Sequence, residues 1–195
     1  MYLVGAIHDG CLVKRRREKK YEIQFYQKCK EWLENSVLPR IERVINKKPK
    51  IKGPRKGVYY IKFSCKNLYV VIEKFLNNPY EILNLDNNSQ IAFVRGFFDA
   101  EGYVPNSWKK RKKYQIGFSQ SGEKIPEVLE VVRIILERLG IKCGKYSIKP
   151  PKNFGKLKEY SFLVCGKDDV KRFFEIVRPE HPFKSFNLRK LLSDR

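Results

Sequence analysis

The sequence is poor in the residues that build zinc sites and disulfide frameworks. It has 2 histidines and 5 cysteines, and no two cysteines stand at the C-x-x-C spacing typical of zinc ligands. Structural zinc needs four nitrogen or sulfur ligands, and small secreted scaffolds use dense, paired cysteines. We therefore expect neither kind of site, and we expect the cysteines to stay reduced.

Long apolar runs are also missing. No stretch approaches the roughly 18 to 20 residues that a membrane-spanning helix needs, and the N-terminus lacks the charged-then-apolar order of a signal peptide. We expect a soluble, intracellular protein that binds no membrane. With 42% hydrophobic residues in a chain of 195, it can still bury a core of its own.

Acidic residues are outnumbered by basic ones. Lysine and arginine total 42 against 21 acids, which gives a formal charge of +21 and a pI near 9.8. This surplus indicates a polyanionic partner. The basic runs Lys14–Arg17 and Lys109–Lys113 could each be a solvated loop or a localisation tract. Their matching places in the two halves of the chain favour a shared binding role.

The two halves of the chain repeat one plan. Each half has an acid followed by glycine, then a basic run, an alternating segment and, further on, a more loosely matched segment. In chain order, these pieces are Asp9-Gly10, Lys20–Gln27 and Tyr59–Lys66, and then Glu101-Gly102, Lys113–Gln120 and Tyr160–Lys167. Such internal repetition predicts two similar structural units.

Apolar periodicity predicts the same elements in both units. Alternation at Ile23 and Phe25, and again at Ile116 and Phe118, predicts strands with one inward face. Helical spacing and turn residues complete each unit. The helices are expected at 28–45, 66–77, 123–139 and 167–177, and the hairpin turns at 53–57 and 150–155.

The predicted fold class is therefore α+β, with the order α-β-β-α-β-β-α in each unit. The units span 1–78 and 90–195, and a linker at 79–89 joins them. Ser89 stands where it could cap the helix that follows this linker.

The segment Val94–Gly102 has the most specific pattern in the chain. Gly96 and Ala100 lie four residues apart on one helix face, so a second helix could approach backbone to backbone. Glu101 then ends the helix beside Gly102. This segment resembles the nine-residue signature of the LAGLIDADG homing endonucleases.

The corresponding segment Tyr2–Gly10 is less regular. Its acid is Asp9, but Val4 and His8 stand where that family usually has small residues, and Gly5 is one position out of register. Either the first helix packs through Gly5 and the alanine after it, or its last turn is irregular. A histidine on a short helix is more often packed than catalytic, so His8 is left out of the catalytic set.

The resemblance covers nearly the whole chain, as two LAGLIDADG units in one polypeptide. It implies a saddle of two antiparallel sheets packed through two central helices. It also implies a monomeric endonuclease, without an obligate protein partner, that cleaves both strands of a long asymmetric double-stranded DNA site across the minor groove. A cytoplasmic or nucleoid-associated, intron-encoded or intein-derived protein of an archaeal or organellar host would fit.

Asp9 and Glu101 are the predicted metal ligands and catalytic acids. Two carboxylates with phosphate and water oxygens suit Mg²⁺, with Mn²⁺ as a substitute and Ca²⁺ binding without efficient cleavage. The resemblance adds polar residues at the ends of the second strands and the starts of the closing helices: Gln27, Gln120, Lys66 and Lys167. Each of these could equally be a helix-entry residue or a phosphate contact.

The outward strand faces are expected to contact DNA, because an antiparallel ribbon fits the major groove and presents every second side chain to the bases. A slip of one residue exchanges the two faces, so base and phosphate contacts cannot be separated at this point. The candidates are Lys14, Arg16, Glu22, Gln24, Lys62, Trp108, Lys110, Gln115, Lys145, Ser147 and Lys149.

Three other functions are consistent with parts of the sequence. An RNA-splicing maturase or a non-cleaving DNA-binding protein would keep the same fold. An intein endonuclease domain is suggested by the tail His181–Lys184 with Leu188, although an intein's splicing cysteine and terminal asparagine are missing. The charge alone would suit a ribosomal protein, but it does not explain Phe97–Gly102.

Overall fold

The computed structural model describes residues 1–15, 20–105, 113–151 and 157–193. Three of the predicted DNA contacts, Arg16, Trp108 and Lys110, lie outside the described residues. Within the described ranges, no helix has both the length and the apolar character that crossing a membrane requires.

The first half of the chain folds in the predicted order α-β-β-α-β-β-α. A π-helical turn interrupts the helix expected at 28–45. The elements are α1 (Tyr2–Ala6), a 3₁₀ turn (Ile7–Asp9), β1 (Gly10–Arg15), β2 (Lys20–Gln27), α2 (Lys30–Trp32), the π turn (Leu33–Val37), α3 (Leu38–Ile45), β3 (Ile51–Arg55), β4 (Val58–Ser64) and α4 (Lys66–Asn77).

The second half repeats this order and adds a last helix, α8, that sequence patterns did not predict. Its elements are α5 (Asn87–Glu101), β5 (Gly102–Tyr103), β6 (Gln115–Gly122), α6 (Glu127–Arg138), β7 (Ser147–Lys149), β8 (Lys158–Cys165), α7 (Lys167–Val177) and α8 (Pro182–Ser193). A short 3₁₀ helix, Pro79–Asn84, lies between the halves.

Two four-stranded antiparallel sheets confirm the predicted α+β fold. Their strand orders are β1-β2-β4-β3 and β5-β6-β8-β7. Gly10 pairs with Phe25 in the first sheet, and Gly102 pairs with Phe118 in the second. Both phenylalanines are fully buried on the helix-facing side of their sheets. The chain therefore passes from each central helix into its sheet at the same register.

Gly5 and Gly96 bring the backbones of α1 and α5 into direct contact. A Cβ atom on Gly5 would overlap the Phe93 carbonyl oxygen, and one on Gly96 would overlap the Tyr2 carbonyl oxygen. The first helix thus packs through Gly5 and the buried Ala6. Its last turn is also tightened into a 3₁₀ turn, so both alternatives considered for this segment are present.

Helix α5 begins one turn earlier than its predicted cap. Asp86 is the N-cap residue, and its carboxylate accepts the backbone N–H of Ser89 at 3.0 Å. The prediction that Ser89 would cap this helix was wrong, because Ser89 is the third helical residue. An aspartate caps as well as a serine does, and its negative charge also favours a helix N-terminus.

Candidate active site

Two carboxylates stand at the ends of the two central helices. Asp9 is the last residue of the 3₁₀ turn that follows α1, and Glu101 is the last residue of α5. The backbone contact of α1 with α5 brings these ends together, and the Asp9 carboxylate is near enough to act electrostatically on Glu101. Both side chains are partly exposed, so the pair can be reached from outside.

Both acids bind their protons more tightly than usual. Burial raises the pKa of Asp9 to about 6 and that of Glu101 to about 7. The negative charge of Asp9 raises the pKa of Glu101 further, while the Lys184 ammonium group opposes both shifts. A bound cation would favour the charged forms of both carboxylates and so offset the cost of their burial.

Gln27 lies against the first acid. Its side-chain N–H donates to the Asp9 carboxylate at 2.6 Å, which fixes one carboxylate oxygen. Gln120 occupies the corresponding place in the second sheet, because Gln27 pairs with Tyr59 and Gln120 pairs with Tyr160. Both glutamines are on the helix-facing side of their strands, two residues beyond the buried phenylalanines.

Asp99 is fully buried at the centre of a hydrogen-bond network that sequence analysis missed. Its carboxylate accepts the Tyr2 hydroxyl at 2.7 Å and the backbone N–H groups of Glu180 and His181 at 3.1 and 3.0 Å. The Tyr2 hydroxyl in turn accepts the indole N–H of Trp32 at 2.8 Å. Burial raises the pKa of Asp99 to about 6, although these hydrogen bonds oppose the shift.

A two-pronged ion pair extends this network into the first half. Arg40 donates through two nitrogens to the Glu180 carboxylate at 2.7 and 2.8 Å, and its guanidinium lies 3.9 Å from the centre of the Tyr2 ring. Arg95 of α5 also approaches Glu180, at 3.4 Å. The segment that precedes α8 is therefore held by residues of both halves.

Replacing Asp99 by leucine should strongly destabilise the protein. The change leaves three buried donors, from Tyr2, Glu180 and His181, without an acceptor, and each such loss costs about 1–3 kcal/mol. Urea unfolding followed by circular dichroism would measure the effect. The exposed Asp168→Leu is the matched control and should change the midpoint little. Equal midpoints for the two variants would contradict a central role for Asp99.

Lys184 is the basic residue that the fold brings to the end of α5. Its ammonium group donates to the backbone carbonyls of Phe98, Asp99 and Ala100 at 2.9, 2.6 and 2.9 Å. Burial lowers the pKa of Lys184 to about 8, and the surrounding carboxylates oppose this shift. In the sequence, Lys184 stood out only as part of the tail at 181–184, for which no chemical role was predicted.

Lys66 and Lys167 are not brought to the acids, and this corrects their predicted place. Lys66 lies 5.7 Å from the centre of the Tyr21 ring, and Lys167 lies 5.5 Å from that of Tyr114. Tyr21 stands six residues before Gln27 on the same strand, which corresponds to about 20 Å at 3.3 Å per residue. The closing helices begin at the opposite ends of the sheets from the acids.

His8 is packed rather than aimed at the acids. Its ring meets the Phe97 ring edge to face at 4.9 Å, and burial lowers its pKa to about 4. Within the described ranges, no group of three or more histidine, cysteine or acidic side chains could hold a metal. The chain offers two carboxylates, so a cation bound there would need further oxygen ligands from outside the protein.

Known proteins match both the sequence and this architecture. Residues 88–178 match the family model of the LAGLIDADG-like domain. These residues form a LAGLIDADG-like domain. Homing endonuclease I-ApeI of Aeropyrum pernix is 26% identical to this chain over 205 positions, which cover 98% of the chain and 86% of I-ApeI.

Two further matches differ in how much they cover. A DNA polymerase of Methanocaldococcus jannaschii is 31% identical over 121 residues, which are 61% of this chain and 7% of that polymerase. The structure of I-DmoI in complex with DNA and Ca superposes with a TM-score of 0.66 at 21% identity, over 97% of this chain and 95% of I-DmoI. The latter match covers both halves of the chain.

The outer face of the first sheet is a connected polar surface. Gln24 pairs with Lys62, and the Lys62 ammonium group lies 2.9 Å from a Glu22 carboxylate oxygen. Gln24 also donates to Glu22, and Tyr26 donates to Gln24. Glu22 is only 1% exposed, so it holds its neighbours in place and is not itself open to a ligand.

A cavity of about 390 Å³ lies elsewhere, but a smaller one of about 300 Å³ opens on this same face of the first sheet. It is lined by Gln24, Tyr26, Arg55, Val58, Tyr60 and Lys62. Of these, Tyr26, Arg55, Val58 and Tyr60 were not predicted from the sequence. The two tyrosines are directly paired between β2 and β4, so a correct strand register would have identified them.

Lys14 does not share this outer face, which corrects its expected orientation. It pairs with Tyr21, which stands an odd number of residues before Gln24 on β2 and so faces the opposite side of the sheet. The Lys14 ammonium group lies 5.5 Å from the centre of the Tyr21 ring. Lys14 therefore lies on the helix-facing side at the far end of the sheet, near Lys66.

The second LAGLIDADG unit has an outer face of similar extent. Gln115 pairs with Cys165, Ser147 with Ser161, and Lys149 with Glu159, all in phase with each other. Lys149 also forms an ion pair with Glu159 at 3.0 Å. Lys145 is exposed just before β7, outside the paired strands.

Proposed function

We propose that this LAGLIDADG protein is a site-specific homing endonuclease that cleaves both strands of a long, asymmetric duplex DNA site across the minor groove. The observation that carries the proposal is the pair of carboxylates, Asp9 and Glu101, at the ends of two helices in backbone contact. A relative named homing endonuclease and a structural neighbour bound to DNA support it.

We propose Mg²⁺ as the metal, with Asp9 and Glu101 as its protein ligands. Carboxylate oxygens are the ligands that Mg²⁺ prefers, and burial raises the pKa of both acids despite the Lys184 ammonium, so a bound cation would favour their charged forms. Bound Mg²⁺ would activate water and stabilise the leaving oxygen. The chain itself orients these ligands, through Gln27 at Asp9 and through Lys184 at the end of α5.

We propose that the outer faces of the two sheets bind the duplex on either side of the acids. The formal charge of +21 supplies attraction for phosphates. The units 1–78 and 90–195, joined at 79–89, would each contact one half of the site. The proposed contacts with DNA on the described outer faces are Gln24, Lys62, Gln115, Ser147 and Lys149. Lys14, Lys66 and Lys167 lie apart from the acids, and the proposal gives them no catalytic role.

Cleavage of a randomised duplex library tests the function directly. The full chain is incubated with the library and Mg²⁺, and the cut ends are sequenced. We expect one long consensus, cut in both strands at a fixed short stagger. Replacing Mg²⁺ by Ca²⁺ should allow binding with little cutting, because the looser geometry of Ca²⁺ positions water poorly. Enrichment of a bound duplex without any cut ends would favour a non-cleaving DNA-binding protein or maturase.

A further inference from the structure

The ammonium group of Lys184 closes the end of the second LAGLIDADG helix. An ammonium has three N–H donors, and those of Lys184 have three carbonyl partners, at Phe98, Asp99 and Ala100. These carbonyls belong to the last turn of α5, where the Phe98 carbonyl also accepts the backbone N–H of Gly102, while those of Asp99 and Ala100 lie beyond the reach of the helix's own N–H groups. The backbone of α5 therefore occupies all three donors of the Lys184 ammonium group and fixes the position of that group.

The residue after the helix satisfies only the first of these carbonyls. Gly102 donates its backbone N–H to Phe98, but it follows Glu101 in extended conformation, with φ −74° and ψ 160°, so it does not form the left-handed cap that often ends helices. Its missing side chain instead leaves room for the Phe98 ring. The direction in which Glu101 leaves the helix consequently depends on a side chain more than eighty residues away in the sequence.

The charge of Lys184 also acts on both acids. It opposes the pKa increase at Asp9 and at Glu101, and in return Asp9, Asp99 and Glu101 favour its charged form; the titratable groups Cys29 and His181 also face it. The partial negative charge of a helix C-terminus adds to the attraction. A positive charge so placed stabilises the acids while no metal is bound, and it repels a divalent cation that approaches them.

We propose that Lys184 is a positioning residue that serves as the resident counter-charge of the metal site, holding the end of α5 and the two acids in place until a divalent cation binds. This rests on the metal ligands of the proposed function. The lysine keeps the site formed in the free protein, at the expense of weaker metal binding.

Thermal unfolding of the DNA-free full chain in increasing Ca²⁺ tests the inference without measuring cleavage. Lys184→Met keeps the chain length but removes the charge and the donors. Its metal-free form should melt at a lower temperature than the parent protein. The Ca²⁺ concentration that gives half of the maximal stabilisation should fall at least about tenfold, because cation repulsion is removed. A merely structural cap would leave this concentration unchanged or raise it, and either result would overturn the proposal.

Three further variants make the comparison specific. Lys184→Gln retains two N–H donors without charge, and it replaces the methionine variant if that fails to fold; the same fall in Ca²⁺ concentration is expected. Lys184→Arg retains the charge and should stay near the parent value. Lys190→Met removes an exposed lysine of the same helix and should change nothing. If no Lys184 variant responds to Ca²⁺, this inference is wrong, whereas the endonuclease function is judged separately by the library cleavage.

Discussion

Glu101→Gln is expected to lower DNA cleavage by at least about a hundredfold, the loss typical of removing one preorganised electrostatic group. Glutamine keeps the size of the side chain but removes the charge that would hold Mg²⁺. Asp9→Asn should have a comparable effect, because the two acids lie together at the ends of α1 and α5. Since both acids would share one metal cluster, either change should impair cutting of both strands.

The assay is cleavage of a supercoiled plasmid that contains the selected site, with nicked and linear products resolved on a gel. Duplex binding should persist in both variants. Glu101→Gln should also resist urea at least as well as the parent, because burial disfavours the charged form of Glu101. Glu175→Gln removes an exposed carboxylate and is the control. Full linearisation by Asp9→Asn would show that the first acid is not catalytic.

Gly96→Val is expected to prevent the chain from reaching its native fold. Its Cβ atom would overlap the Tyr2 carbonyl oxygen, and the opposing backbone cannot rotate away as a side chain could. Extra groups in a packed core usually cost about 1–3 kcal/mol, and this contact lies at or beyond the upper end because a helix must move. Expression yield and circular dichroism would report the loss, with Asn88→Val on the exposed first turn of α5 as the control.

Gly96→Ala tests whether the close packing of α1 against α5 is needed for cleavage. Alanine gains up to about 1 kcal/mol of helix propensity over glycine, which is too little to offset the backbone overlap. We expect a folded but less stable protein in which α1 is displaced from α5. The distance between the acids would then increase, so cleavage should fall more than DNA binding does. Unchanged stability and cleavage would contradict the close contact of the two helices.

Most of the fold follows from local patterns in the sequence. The alternation at Ile23 and Phe25 correctly predicted the buried face of a strand. The small residue Gly96 correctly predicted a close contact between two helices. The error at Ser89 has a local origin too. Asp86 and Ser89 are both good caps a few residues apart, and sequence alone does not choose between them.

The site itself was only partly predictable. The places of Asp9 and Glu101 at the helix ends were predicted from the repeated motif, and that of Gln27 at the end of its strand from the family resemblance. Lys184 and the Asp99 network depend on contacts across more than eighty residues, which no periodicity records. The family resemblance suggested Lys66 instead, but Lys66 lies beside Tyr21, at the end of β2 that is far from Gln27 and the acids.

The network around Asp99 bears on making chimaeras from LAGLIDADG halves. Grafting a foreign first half onto residues 90–193 would discard Tyr2 and Arg40, whose partners Asp99 and Glu180 lie on the other side of the junction, and Trp32, which donates to Tyr2. A graft that matched only the glycine contact would leave the buried Asp99 with only the backbone N–H groups of Glu180 and His181 as donors. Successful recombinants should therefore be those that import the tyrosine, the tryptophan and the arginine together, and a library of random junctions should retain these three residues as one inherited block.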